Sequence, residues 1–353
     1  MMDKKRNIVI LFGGRSAEHE VSIKSAEAVF DHLDPNQFTT QCIYFHKNGR
    51  WSLVDSPHIR KEQMEKGAFY SFLPWNSEKS MGLPKSSVYF PVLHGPYGED
   101  GTIQGLLELA DVPYVGATVM SSALGMDKAV AKSIFQSKGL PIVKHTVIHE
   151  KDFIPNKTKI KGQIKKEYSF PLFVKPSNLG SSIGITKVQS IDQLSRALDV
   201  AFRYDSKILV EQGIKGREIE CSVLGNDHPI SSLPGEVIPF RSFYDYQDKY
   251  REGKTKFGIP AQIPESVKEK IQEISIHAFQ SIECSGMARI DFFYQEHNSK
   301  IYLNEINTIP GFTEISMYPK LWAISGIKFP SLIEKLVTLA VEKHADKKRT
   351  QDA

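Results

Sequence analysis

The sequence predicts a mixed α/β and α+β protein, with a doubly wound parallel sheet at the N-terminus and hairpin-rich units after it. Three observations predict this. The chain opens on a strand, a glycine turn and a helix in direct succession: NIVILF, GGRSAEHE and VSIKSAEAVFDHL, the last with Val21, Ala28, Val29 and Leu33 at helical spacing. The strand TTQCIYFH, then VYFPVLHG followed by the helix TIQGLLELA, extends that alternation until VPYVG closes it near Gly116. After Ser121 the texture changes to paired strands around turn residues.

The later elements follow from local signals. SSALGMDKAVAKSIFQSKG reads as one helix stopped by Gly139 and Pro141, with the strand IVKHTVI after it. The lysine-dense stretch from Asn156 to Tyr168 has little apolar content and reads as a solvated excursion, with no function assigned. FPLFVKP, the small-residue turn SNLGSSIG and ITKV form a hairpin pattern, and the helix IDQLSRALDVAFRY and strand KILVEQ complete a compact α+β unit. REIECSVLG, the polar segment FRSFYDYQDKYREGKTKFG and the helix SVKEKIQEISIHAFQSI lead to two strands, MARIDFFY and KIYLNEINT, around QEHNS. The tail after Val341 shows no apolar face and is expected to fray.

Composition narrows the function. With 353 residues, 41% of them hydrophobic, the chain can build two or three packed domains, which excludes disorder as the main state. Its 45 basic and 41 acidic side chains leave a net charge of only +4, so the field that a nucleic-acid or membrane-surface binder needs is missing. Three scattered cysteines cannot make a disulfide framework or a zinc site, which fits a reducing compartment. The first apolar run, Ile8 to Phe12, is too short for a signal peptide, and no window approaches a membrane span. A soluble cytoplasmic protein is expected.

Two nucleotide motifs are excluded first. Gly253-Lys254-Thr255 ends like a P-loop, but Asp248 stands where the motif's first glycine belongs and no strand precedes it. No G-x-G-x-x-G occurs. The informative residues are on the C-terminal strand pair. Alternate strand residues share a face, so Arg289 projects with Asp291, and Glu305 with Asn307. A turn centred on Asn298 sets Asp291 opposite Glu305 and Arg289 opposite Asn307, about 5 Å apart. Two carboxylates and an amide oxygen suit magnesium shared with nucleotide phosphates, and an adjacent guanidinium suits phosphate or a developing oxyanion. A plain surface ion pair on an edge hairpin is the competing explanation; the apolar residues interleaved in both strands favour the metal site.

Other candidates are weaker singly. Lys175 stands at a strand end before a loop of small residues and hydroxyls, where backbone amides can approach phosphate, although such turns are commonly only turns. Lys128 on its helix could reach the same ligand, although helix lysines usually face water. Glu211 and Glu218 stand where an adenine amino group or ribose hydroxyls could be bound; an ordinary strand-end acid is the competing explanation. Gly13-Gly14 lies at the carboxyl end of a strand, where doubly wound sheets bind ligands. Glu18 there could hold an amine or simply stabilise a helix start. His94 occupies the equivalent end of another strand, as readily structural as functional.

Taken together, FGGRSAEHEVS, HGPYGEDGTIQG, MDKAVAK, VKPSNLGSSIG, FYDYQDKY, ARIDFFY and NEINTIPGFTEISMYP resemble, in order and over nearly the whole chain, the D-alanine–D-alanine ligases of the ATP-grasp superfamily. The resemblance implies a three-domain ATP-grasp architecture: a substrate domain at 1–118, a central domain at 119–214, a catalytic domain at 215–345 and a flexible tail at 346–353. It implies ATP held by Lys128, Lys175, Glu211 to Ile214 and Glu218, and magnesium, or manganese in its place, as two ions on Asp291, Glu305 and Asn307. Glu18 would take the first D-alanine's ammonium, with Ser181 and Tyr250 orienting that glutamate. His94 joins the substrate site, Lys249, Ser316 and the Met317 backbone take the second carboxylate, and Arg289 stabilises the reaction centre. FYDYQDKY resembles a loop that covers the site, and Tyr250 the form that makes the dipeptide instead of an ester with D-lactate. Glu314, beside the carboxylate pocket, departs from the pattern. The implied reaction is ATP-dependent joining of two D-alanine molecules through an acyl phosphate for peptidoglycan synthesis, by a homodimer binding neither nucleic acid nor membrane. Another ATP-grasp carboxylate-amine ligase and a non-catalytic nucleotide sensor are the rivals; FYDYQDKY with GFTEISMYP argues against the first, and the intact set of Arg289, Asp291, Glu305 and Asn307 against the second.

Overall fold

A computed structural model describes residues 5–58, 68–69, 87–180, 182–239 and 255–348. The elements form three sheets. The N-terminal sheet has the order β4-β3-β2-β1-β5, from β1 (Arg6–Gly13), β2 (Phe38–Phe45), β3 (Trp51–Val54), β4 (Ala68–Phe69) and β5 (Val88–Pro91). Its parallel part is β2-β1-β5, while β3 and β4 add antiparallel strands beyond the parallel sheet expected from sequence. Alternate burial of Ser52 and Val54 along β3 is the local reason a strand forms there.

Apolar residues cover both faces of this sheet. On one, Ile8, Ile10 and Phe12 pack with Val29 of α1 (His19–His32) and with Leu332, Leu336 and Val337 of α9 (Phe329–Lys348). On the other, Val9 and Leu11 pack with Ile103 and Leu107 of α2 (Thr102–Leu109). The last helix therefore returns to the first sheet and ties the chain ends together. Residues 342–348, in the tail expected to fray and, from 346, to be flexible, instead continue α9, its final turn held by His344 to Asp111 at 2.9 Å and by Lys347 to Glu108.

The stretch expected as one helix from Ser121 to Gly139 is two, α3 (Val119–Met126) and α4 (Lys128–Ser137). Asp127 separates them with extended backbone, and its carboxylate accepts from the amides of Ala129 and Val130 as the N-cap of α4. The central sheet, order β6-β9-β7-β8, comprises β6 (His145–His149), β7 (Leu172–Pro176), β8 (Thr186–Val188) and β9 (Lys207–Gln212), all antiparallel. It is backed by α6 (Ile191–Phe202) and by α5 (Glu150–Glu167), where a solvated excursion is expected from sequence. The lysines conceal an apolar stripe: Phe153 and Ile164 are buried, Ile160 packs beside them, and Glu150 with Asp152 at one end and Lys165 with Lys166 at the other complement the helix dipole. A kink at Asn156 follows Pro155.

The third sheet has the order β13-β12-β10-β14-β15: β10 (Arg217–Gly225), β12 (Gly235–Ile238), β13 (Lys256–Gly258), β14 (Gly286–Gln295) and β15 (Lys300–Asn307), with β11 (Ile230–Ser231) against β10. One face packs on α7 (Glu265–Ser281) and on Ala131 and Phe135 of α4. The opposite face carries Glu220, Arg289 and Asp291, and α8 (Met317–Ile324) lies near its β12 end, with Met317 and Leu321 on Val237. Among the described residues no helix is long and apolar enough to cross a membrane.

Candidate active site

Pairing of β14 with β15 sets Arg289 opposite Asn307 and Asp291 opposite Glu305, the register expected from the sequence. It arises in an unexpected way. At the turn end the pairs are Gln295 with Lys300 and Phe292 with Leu303, a register that would bring Asn304 to Asp291. A shift between Asp291 and Phe292 leaves Asn304 as an extra residue, a β-bulge, and pairs Asp291 with Glu305. The core side chains of β15 are accordingly Ile301, Leu303 and Ile306, spaced two and then three apart. Without the bulge, strict alternation would send Glu305 into the core.

The strand pair is not at an open edge on the β14 side, because β14 lies between β10 and β15. Arg289 is half-buried and forks onto Asp291, donating from Nε and Nη2 at 2.7 Å each. Its Nε is also 3.0 Å from Glu220, which faces Asp291 from β10. Burial opposes the guanidinium charge, but Asp291, Glu220 and Glu305 outweigh it and hold its pKa well above the ordinary value. The ion pair considered as an alternative for Arg289 and Asp291 is therefore real, yet it sits in a sheet interior facing Glu305. Asn307 accepts from the Ile309 amide at 3.2 Å through its side-chain oxygen, which fixes that oxygen's direction.

Three lysines converge beside this face. Lys128 donates to the Leu179 carbonyl at 2.8 Å and lies 3.4 Å from Glu305. Lys175 makes a 2.5 Å ion pair with Glu211 and reaches the Asn304 side-chain oxygen at 3.4 Å. Lys132, which the sequence reading does not single out, is 1% exposed, lies 3.2 Å from Glu211 and donates to the Asn304 carbonyl at 2.8 Å. Burial works against the Glu211 charge, but Lys132 and Lys175 prevail and lower its pKa. Glu211 is thus a buried carboxylate bridging two cations, with Ile214 in the connection to β10 and Glu218 half-buried on the face it shares with Glu220. The loop after Lys175 is anchored at its root: Asp205 accepts from the amides of Ser177 and Asn178, and Asp127 from the Ser177 hydroxyl at 2.7 Å.

That loop meets the N-terminal sheet. A Cβ added at Gly180 would lie 3.4 Å from a Glu18 carboxylate oxygen, and one at Gly95 only 2.9 Å from the same atom, so a side chain at position 95 would strike Glu18. Gly95 also has φ +79°, a backbone that disfavours any other residue. His94, directly before it, is buried with both ring nitrogens engaged: Nε2 with the Ser25 hydroxyl at 2.8 Å, Nδ1 with the Ile309 carbonyl at 3.1 Å and Glu99 at 3.8 Å. Burial disfavours the imidazolium, but the contact with Glu99, the Glu18 charge and the Ile309 carbonyl together raise its pKa. His94 is therefore held at both ring nitrogens directly beside Gly95, the glycine that faces Glu18.

Ser316 is the N-cap residue of α8, its hydroxyl 3.1 Å from the Thr313 amide, and Met317 is the first helical residue. Glu314 is exposed in the preceding turn. Ser181 and the whole of FYDYQDKY, with Lys249 and Tyr250, lie outside the described residues. Sequence reasoning misses Lys132, Glu99 and Glu220. Signals were present: Lys132 stands four residues after Lys128 on one helix face, and Glu220 shares a strand face with Glu218. The cysteines are buried and free; burial pushes Cys42 and Cys284 up to about 12 and Cys221 to about 11, far from thiolate chemistry.

The geometry offers an all-oxygen set on one strand pair, cations beside it and a carboxylate, Glu18, against the small-residue loop. Residues 7–117 match the family model for the D-ala D-ala ligase N-terminus, and residues 134–338 that for the C-terminus. The D-alanine–D-alanine ligase of Acetivibrio thermocellus is 43% identical over the whole of both chains. Among solved structures, the D-alanine–D-alanine ligase from Coxiella burnetii superposes with a TM-score of 0.88 at 38% identity, covering 99% of this chain and 97% of that one. The VanG D-Ala:D-Ser ligase from Enterococcus faecalis gives 0.83 at 35%, covering 96% and 100%. On sequence, family models and structure alike, this chain belongs to the D-alanine–D-alanine ligase family.

Proposed function

We propose that the protein joins two D-alanine molecules at the expense of ATP, releasing ADP and phosphate and supplying the dipeptide for peptidoglycan precursors. The observation that carries the reading is the meeting of Arg289, Asp291 and Glu305 on one sheet face with Lys128 and Lys175 beside them and the Glu18 carboxylate beside Gly180 of the small-residue loop. In this reading the carboxylate of the first D-alanine attacks the γ-phosphorus, the bond to the bridging oxygen breaks and ADP leaves. The second amine attacks the acyl carbon, and phosphate departs with the C–O electron pair.

Glu18 would hold the first ammonium, with Ser181 and Tyr250 orienting the Glu18 carboxylate. Lys128 and Lys175 would balance phosphate charge, with the Glu211 to Ile214 connection and Glu218 on the nucleoside. Arg289, which donates to Asp291, would carry the oxyanion as the second amine adds. Lys249, Ser316 and the Met317 backbone would receive the second carboxylate. The oxygen donors Asp291, Glu305 and Asn307 suit magnesium, or manganese, as two ions that neutralise and orient phosphate oxygens. The reading also carries a homodimer in the cytoplasm and the division into units at 118/119 and 214/215, supported by three separate sheets.

The test is phosphate release from ATP with magnesium, comparing D-alanine, L-alanine, D-serine and D-lactate. Release is expected with D-alanine alone as both donor and acceptor. ATP consumption that is independent of D-alanine, or none at all in a folded sample, would refute the reading.

A further inference from the structure

We infer that Lys132 is a positioning residue for the metal-binding strand: through the Asn304 carbonyl it holds the β-bulge that turns Glu305 and Asn307 toward the site. The inference rests on the proposed metal role of those two residues. Four observations carry it. Asn304 has no pairing partner in β14, and this single extra residue decides which face Glu305 takes. A bulge removes backbone groups from the ladder, and a buried carbonyl left without a donor is costly. The donor here is Lys132 Nζ at 2.8 Å, from a side chain 1% exposed, while Lys175 reaches the side-chain oxygen of the same residue at 3.4 Å. The ammonium is tolerated in that interior because Glu211 lies 3.2 Å away.

Lys132 thus touches α4, β9 and β15 at once without approaching the reacting atoms through any contact of its own. It is a link between the strand bearing Glu211 and the strand bearing Glu305. Pure electrostatics makes the opposite prediction: removing a positive charge near a cation site tightens cation binding. The sign of the change therefore separates positioning from charge.

The experiment titrates Mn2+ into the ADP complex of wild type and of Lys132→Met, following free Mn2+ by electron paramagnetic resonance. Lys132→Met is expected to weaken Mn2+ binding at least about tenfold, the scale on which groups that orient metal ligands act. ADP affinity without metal is expected to move much less. Unchanged or tighter Mn2+ binding in a folded variant overturns the inference. If Lys132→Met does not fold, Lys132→Gln, which keeps the pocket polar and able to admit water, is read by the same criteria. Absence of Mn2+ binding in wild type would instead refute the metal reading of Asp291, Glu305 and Asn307, a different failure.

Discussion

Arg289 grips Asp291 with two parallel hydrogen bonds of 2.7 Å while both residues project from the same face of one strand. The fork fixes the guanidinium in position before any substrate arrives, so little of its side-chain freedom is left to lose during reaction. Arg289→Ala is expected to lower kcat by roughly 10²-fold or more, the range for a lost oxyanion donor, with KM for ATP changed much less. Steady-state kinetics on a variant with native circular dichroism checks this, and unaltered turnover would remove Arg289 from the reaction centre.

Glu305 lies 3.4 Å from Lys128 and is opposite Asp291, so it can serve the metal and the phosphate lysine together. Glu305→Gln keeps the shape and removes the charge. The half-saturating magnesium concentration is expected to rise at least about tenfold, since a carboxylate is a far better magnesium ligand than an amide. Magnesium titration at saturating ATP and D-alanine measures it; a curve superposable on wild type would exclude Glu305 as a ligand.

The pairing of Asp291 with Glu305 was legible in the sequence, but by two departures that cancel. A turn centred on Asn298 yields the right partners, whereas the actual hairpin starts from Gln295 opposite Lys300 and regains the register through Asn304. The spacing of Ile301, Leu303 and Ile306 announces that bulge, since a regular strand keeps its core residues two apart. Buried lysines are harder to read, because a lysine on a helix ordinarily belongs to water and only the tertiary partners Glu211 and Asn304 reverse that for Lys132. The same bias toward solvent hid the stripe of Phe153, Ile160 and Ile164 among the lysines of α5. Strands β1 and β9 were clear from the outset as apolar runs between turn residues, and β10 as an alternation of Ile219, Cys221 and Val223 with Glu218, Glu220 and Ser222.

His94 and Glu99 make the buried charge pair behind Glu18 a source of pH dependence. Against burial, Glu99 and Glu18 raise the His94 pKa above its ordinary 6.5, and burial with Glu18 raises that of Glu99 above 4.5. Both groups hold protons more tightly when folded, so their contribution to stability is fully present below their unfolded values and is lost as pH rises through the folded ones. Glu99→Gln removes the main favourable cause for His94. Its C2 proton resonance is then expected to titrate at lower pH, and the decline in stability above pH 6.5 to flatten. Chemical denaturation between pH 6 and 9 measures the second effect; parallel curves for wild type and variant would show that the pair does not set the slope.

The last helix separates packing from surface charge. Leu336 is fully buried against the first sheet, whereas His344 and Lys347 make their contacts with Asp111 and Glu108 at the partly exposed end of α9. Leu336→Ala should destabilise the fold by about 2–5 kcal/mol, from lost burial and the cavity left behind. His344→Ala with Lys347→Ala should cost no more than about 1 kcal/mol and lessen further at high salt, because exposed pairs gain little over solvation. Urea denaturation of both variants tests the contrast. A loss from the double variant as large as that from Leu336→Ala would mean that the end of α9 is held by more than these two ion pairs.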